Sequence, residues 1–154
     1  MTEITLLVTG SRSIKDYTLV SKACDTFIRE ANLRFAEKTP IKFLKHGDAN
    51  GVDRLCAQWA KANGIETMPF PAKWNIVTGL PNDKLRIKYG DGKPYNALAG
   101  FNRNQEMIDS GFDVLLAIRC LDKSNGTDHT IEQVKKTGKP IFLYKEDNTY
   151  EWLQ

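Results

Sequence analysis

Short apolar runs that alternate with helix-patterned stretches constrain this chain more than any other feature. Residues 4–9 (ITLLVT) form a continuous apolar run that stops at Gly10, as a strand buried on both faces does. Residues 41–45 (IKFLK), 65–70, 112–118 (FDVLLAI) and 140–144 (PIFLY) repeat the signal. Between the first two runs, Asp16 is placed to cap a helix. Its apolar residues Val20, Ala23, Cys24, Phe27, Ile28 and Ala31 share one face, and Pro40 stops the segment. Val52, Leu55, Cys56, Trp59 and Ala60 mark a second helix over 52–63, closed by Gly64. A third helix is expected over 97–110 and a fourth over 127–137, ending at Gly111 and Gly138. Strands separated by helices predict right-handed βαβ units. The expected fold class is α/β, with a mostly parallel five-stranded sheet covered on both faces. The stretch 75–96 carries Gly79, Pro81, Gly90, Gly92 and Pro94 and reads as an inserted loop or hairpin outside the core. The tail is expected to add one turn around Trp152, and 1–154 reads as one domain.

Composition narrows the function classes. The 154 residues suffice for one real core, and 41% hydrophobic with 27% charged residues excludes a disordered or fibrous chain. No apolar run approaches the roughly 18 residues of a membrane span, and no basic region leads into a long apolar stretch. A cytoplasmic protein without a membrane partner is therefore expected. The net charge of +3 is mild and Lys and Arg are scattered, which argues against a nucleic-acid partner. Cys24, Cys56 and Cys120 form no CxxC pair, and the histidines are only His46 and His129. That pattern lacks zinc spacing, so no metal and no cofactor is expected and the cysteines read as buried free thiols.

The polar and glycine clusters fall at the carboxyl ends of expected strands, where open α/β sheets bind ligands. Gly10-Ser11-Arg12 follows the first strand. Gly47-Asp48-Ala49-Asn50-Gly51-Val52-Asp53 follows the second, and Ser124-Asn125-Gly126-Thr127 follows the fourth. Each precedes a helix whose free N–H groups and positive dipole end suit a phosphate. Read separately, Asn50-Gly51 and Asn125-Gly126 are also ordinary turns, and Asp53 is an ordinary first-turn acid. Arg12 has the fork of a phosphate clamp, or is a plain surface arginine. Trp74 is placed to stack on a base, or to edge the core. On the third helix, Arg103, Asn104 and Glu106 cluster. Arg103 and Glu106 are three apart on one face, which a solvated ion pair would equally explain. The chain has neither GxGxxG after its first strand nor GxxxxGK[ST] anywhere, and no histidine supports a serine triad.

The order G-S-R, HGxAxGxD with WA, P-A-x-W, AGxxRNxxM and S-x-GT, over about residues 5–144, resembles the YspA-like branch of the SLOG superfamily, named after the SMF/DprA and LOG proteins. The resemblance implies a Rossmann-like three-layer αβα fold that binds nucleotides or nucleotide-derived ligands, and a homodimer as in LOG relatives. LOG members are phosphoribohydrolases, which release a free base from a nucleoside 5′-monophosphate. Arg103-Asn104-Gln105-Glu106-Met107 looks like their R-x-x-E-M stretch, and Gly126 to Thr130 lines up with their PGGxGTxxE motif. Two positions depart from it: Thr130 stands where the motif has glutamate, and 123–125 replace its Pro-Gly-Gly. Relatives also often carry glycine where this chain has Asp48.

Three readings follow from the resemblance. In the first, the chain hydrolyses an N-glycosidic bond. Glu106 would stabilise positive charge on the sugar, Asp128 would substitute for the missing acid, and Arg103 would orient Glu106 or hold phosphate. In the second, the same loops bind a nucleotide-derived signal without cleaving it, as a sensor or sponge. The ligand-binding set is shared: Gly10, Ser11, Arg12, Gly47, Asp48, Gly51, Asp53, Trp74, Arg103, Asn104, Ser124, Gly126 and Thr127. The third, single-stranded nucleic-acid binding, is disfavoured by the charge. The inserted stretch, with Lys84, Arg86, Lys88 and Lys93, reads as a phosphate lid, a variable surface loop or an oligomer contact.

Overall fold

In β1 (Ile4–Gly10) successive side chains alternate between two buried faces, and this alternation divides the core. Leu6 and Val8 pack on one face with Val20, Phe27, Cys56 and Trp59. Leu7 packs on the other with Met107, Ile108, Ile131 and Val134. Only a strand sandwiched between helices needs apolar residues at every position. The structure is a computed structural model that describes residues 3–72, 85–87, 94–96 and 99–154.

The chain continues through α1 (Tyr17–Phe35), β2 (Ile41–His46), α2 (Val52–Ala62) and β3 (Glu66–Pro69). After the short β4 (Leu85–Ile87) and β5 (Pro94–Asn96) come α3 (Ala99–Asp109), β6 (Val114–Arg119), α4 (Asn125–Lys135), β7 (Ile141–Lys145) and β8 (Tyr150–Trp152). The main sheet has the order β3-β2-β1-β6-β7-β8. Its first five strands are parallel, and β8 pairs antiparallel with β7. Helices α1 and α2 cover one face, α3 and α4 the other. This is the Rossmann-like three-layer α/β architecture.

Local chemistry sets the helix ends. Asp16 caps α1, its carboxylate accepting from the N–H of Thr18 at 2.9 Å and of Leu19 at 3.4 Å. In contrast, the N-cap positions of α2 (Gly51) and α4 (Ser124) have no side-chain cap bond. Those two helices begin directly after β2 and after the loop that follows β6, at the carboxyl edge of the sheet.

The structure corrects two expectations. The sheet has six strands rather than five, and the tail is a strand rather than a turn. The Asp147 carboxylate accepts from the N–H and Oγ1 of Thr149, and Asn148 takes a left-handed φ of 66°. This tight turn folds β8 back so that Trp152 faces Phe142, with centroids 5.0 Å apart, and meets Phe27 and Phe35 of α1. Within 75–96, the described residues are the two short strands, which pair Arg86 with Tyr95 antiparallel. Trp74, and Lys84, Lys88 and Lys93 of the expected lid, lie outside the described residues.

The strand order reverses at β1. The first crossovers run outward to β2 and β3, and the chain then returns to lay β6 on the opposite side of β1. β1 and β6 stay paired to their ends, but the connections that leave them run to helices on opposite faces of the sheet, and a crevice forms between those connections at the switch point.

Candidate functional site

A cavity of about 320 Å³ occupies that crevice. The β1 end contributes Gly10, Ser11, Arg12 and Ser13, and the β2–α2 connection contributes Ala49 and Asp53. Arg103, Asn104 and Met107 of α3 form one wall, and Lys123, Ser124, Asn125, Gly126 and Thr127 form another.

Two glycines let the loops close around it. Gly10 lies so near α2 that a Cβ there would run into the Val52 side chain and come within 2.6 Å of the Ile118 carbonyl oxygen. Gly51 has a φ of 81°, and a Cβ on it would sit 2.6 Å from the carbonyl oxygens of Ser11 and Arg12. The start of α2 is thereby pressed against the loop after β1, where the Val52 N–H donates to the Ser11 carbonyl.

Asp53 holds the other side of this connection. Its Oδ2 accepts from the N–H of Gly47 at 3.0 Å and of Ala49 at 3.3 Å. The carboxyl is buried, and burial pushes its pKa up to about 6 against the pull of Arg103, the two N–H groups and Arg12. Arg103 is buried as well. Its guanidinium donates to the Gly47 carbonyl and, at 3.5 Å, to that of Phe70, while Nε donates to Asn104 Oδ1 at 2.8 Å. Burial lowers its pKa and Asp53 opposes that shift. Asp53 and Arg103 thus grip the same loop, one by its N–H groups and the other by a carbonyl.

A hydroxyl chain links β1 to α4. The Cys120 N–H donates to Ser11 Oγ at 2.9 Å, and Ser11 Oγ lies 2.8 Å from Ser124 Oγ. Ser124 Oγ donates to Thr127 Oγ1 at 2.9 Å. Ser124 has a single hydroxyl proton, so Ser11 is the donor in their contact. The Thr127 hydroxyl proton ends the chain at the cavity wall.

The remaining expected residues take other places. Gly47, Asp48 and Gly51 shape the β2–α2 connection without lining the cavity. Asp48 adopts a φ of 53°, the left-handed region in which glycine is at ease, and its carboxylate lies 3.5 Å from Arg54 Nε. Its N–H donates to Nδ1 of the buried His46, whose pKa burial lowers. Glu106 is exposed and is not part of the cavity lining. Asp128 forms a paired contact with Arg119 at 2.7 and 2.9 Å, which holds its carboxyl below the usual range. Arg119 also donates to the carbonyls of Cys120 and Asp122, so the pair fastens the loop ahead of α4. Thr130 is fully buried and donates back to the Gly126 carbonyl.

Sequence reasoning named Ala49 and Asn125 only as members of their loops, and did not expect Thr9, Ser13, Met107 or Lys123 in the site. The position of Lys123 beside Ser124 was the one available signal. Electrostatically the wall carries Arg12, Arg103 and Lys123 and the N-terminus of α4 against the Asp53 carboxyl, a balance that favours an anion. Among the described residues no group of three or more His, Cys, Asp or Glu side chains could hold a metal ion. No described helix is long and apolar enough to cross a membrane.

Residues 4–76, which span β1 to β3 and the first two loops of the cavity, match the family described as YspA, cpYpsA-related SLOG family. That segment, just under half of the chain, is similar to the YspA-like branch of the SLOG superfamily. No curated protein and no solved structure gives a match. The matched segment supplies Ser11, Arg12 and Asp53, while α3 and the Ser124–Thr127 wall lie beyond it. That similarity is consistent with a nucleotide-related ligand.

Proposed function

We propose that the chain binds a nucleotide or nucleotide-derived ligand in the cavity between β1 and β6, held by its phosphate. The observation that carries this is the N-terminus of α4, which has no side-chain cap at Ser124 and whose first residues line the cavity together with Arg12 and Lys123. Free N–H groups and aligned dipoles are an anion site that needs no metal. Ser11, Ser124 and Thr127 add hydroxyls, and Gly126 leaves the start of α4 open to close approach. A carboxylate next to phosphate repels it, so Asp53 faces the neutral sugar, whose hydroxyls donate to it.

A second reading, N-glycosidic hydrolysis of a nucleoside 5′-monophosphate, is favoured by one observation: the carboxyl of Asp53 lies in the wall and titrates near pH 6. Such an acid stabilises charge developing on the sugar. Glu106, with Arg103 and Asp128, is the assignment drawn from the LOG motif. Without cleavage the chain is a sensor or sponge for the same ligand.

Mass spectrometry after incubation with nucleoside monophosphates, deoxynucleotides and ADP-ribose-type molecules separates the readings. Retained intact ligand is the expected result. Released free base, abolished in Asp53→Asn or Glu106→Gln, establishes hydrolysis and names the acid. Neither retention nor release across the panel contradicts the proposal.

A further inference from the structure

Beside the cavity, α3 and α4 present an aromatic pair that the phosphate site does not use. The rings of Phe101 and His129 lie 4.3 Å apart at 34°. Phe101 stands one turn before Asn104 and His129 one turn after Gly126, and Asn104 and Gly126 both line the cavity. The Asn104 amide nitrogen joins the two walls, 3.5 Å from the Gly126 carbonyl and 3.4 Å from His129 Nδ1. Both helices precede parallel strands, so both begin at the sheet edge where the cavity opens. Phe101, in the first turn of α3, stands at that rim.

Phe101 is 42% exposed although it is a large apolar side chain. Such a residue costs hydration unless something covers it. Its ring is already backed on one side by His129. Burial, with Lys136 nearby, lowers the imidazole pKa and so disfavours a charged ring against the phenyl face. A ring backed on one face and open on the other, beside the cavity, is a stacking surface.

We propose that Phe101, backed by His129, stacks on the flat heterocyclic base of the ligand, so that the cavity selects base-bearing nucleotides over sugar phosphates. This rests on the phosphate-binding reading above and names the ligand class for that site. The base would lie over the α3–α4 rim while the phosphate sits at the start of α4.

Calorimetric titration with ribose 5-phosphate and the four common ribonucleoside 5′-monophosphates tests the proposal on wild-type protein, Phe101→Ala and Phe101→Trp. At least one nucleotide is expected to bind wild type tenfold or more tighter than ribose 5-phosphate. Phe101→Ala should collapse that ratio toward one. Phe101→Trp should restore it, with indole fluorescence quenched by the base relative to wild type. A ratio that persists in Phe101→Ala, or a wild-type ratio near one with both ligands bound, overturns the stacking role while the phosphate site stands. If none of the five ligands binds wild type, the phosphate reading fails and this inference falls with it.

Discussion

Asp53 concentrates the tension of the site in one side chain. Its carboxyl is buried yet bonded to two backbone N–H groups, and burial wins, leaving it near pH 6 against the usual 3.8. Between these values the folded chain binds more protons than the unfolded one, so stability falls as pH rises, and above about 6 it levels off. The stabilisation is fully present below the unfolded value. Wild type should lose roughly 3 kcal/mol of unfolding free energy relative to Asp53→Asn between about pH 3 and about pH 7, and the offset should then stay flat. Urea denaturation at a series of pH values measures this, and a difference independent of pH would remove the buried carboxyl from the account. Gly51 is constrained by backbone alone. Gly51→Ala forces a Cβ into a left-handed residue and onto two carbonyl oxygens, so a loss of about 2–3 kcal/mol is expected in the same assay. At this scale the sequence was only partly legible. Gly10, Ser11, Ser124 and Thr127 announced themselves by following apolar strands. Asp53 looked like any first-turn acid, because nothing in its neighbours says that the Gly47 and Ala49 N–H groups turn back onto it. Arg103 and Glu106 share a helical spacing, but a spacing of three leaves roughly 60° between them, enough for one to be buried and the other to face solvent.

Among the elements, α4 gives the sharpest test. Its N-cap Ser124 spends its hydroxyl on Thr127 rather than on a backbone N–H, so the helix end stays open. Ser124→Asp places a carboxylate where caps are favoured and where the dipole welcomes it. Thermal unfolding should be unchanged or higher, while nucleotide binding should drop at least tenfold, because the new charge occupies the anion position. The strand β8 makes the opposite point. Three residues are too short for any periodicity, so the sequence read as a turn. What makes it a strand is remote: Phe27, Phe35 and Phe142 receive Trp152, and Arg34 lies 4.3 Å over its ring. Trp152→Ala should cost about 2–4 kcal/mol, somewhat less than a fully buried aromatic, by denaturant unfolding. The longer elements were legible because each repeats its signal: α1 shows Asp16 and a six-residue apolar stripe, and β6 is apolar at nearly every position.

For the whole molecule, strand order decides where chemistry can occur. Reversal at β1 opens one crevice, and the loops that reach it come from segments more than a hundred residues apart, as the Ser11–Ser124 contact shows. The sequence placed these loops at strand ends. It did not reveal which of them meet, since that depends on β6 returning beside β1. The central claim is that this crevice binds the phosphate of a nucleotide. Its most direct test is a calorimetric comparison of nucleoside 5′-monophosphates with their parent nucleosides on the intact chain. The account predicts that the phosphate adds tenfold or more in affinity and that Ser124→Asp erases the gain. Equal affinity for nucleotide and nucleoside, or a phosphate gain untouched by Ser124→Asp, would contradict it.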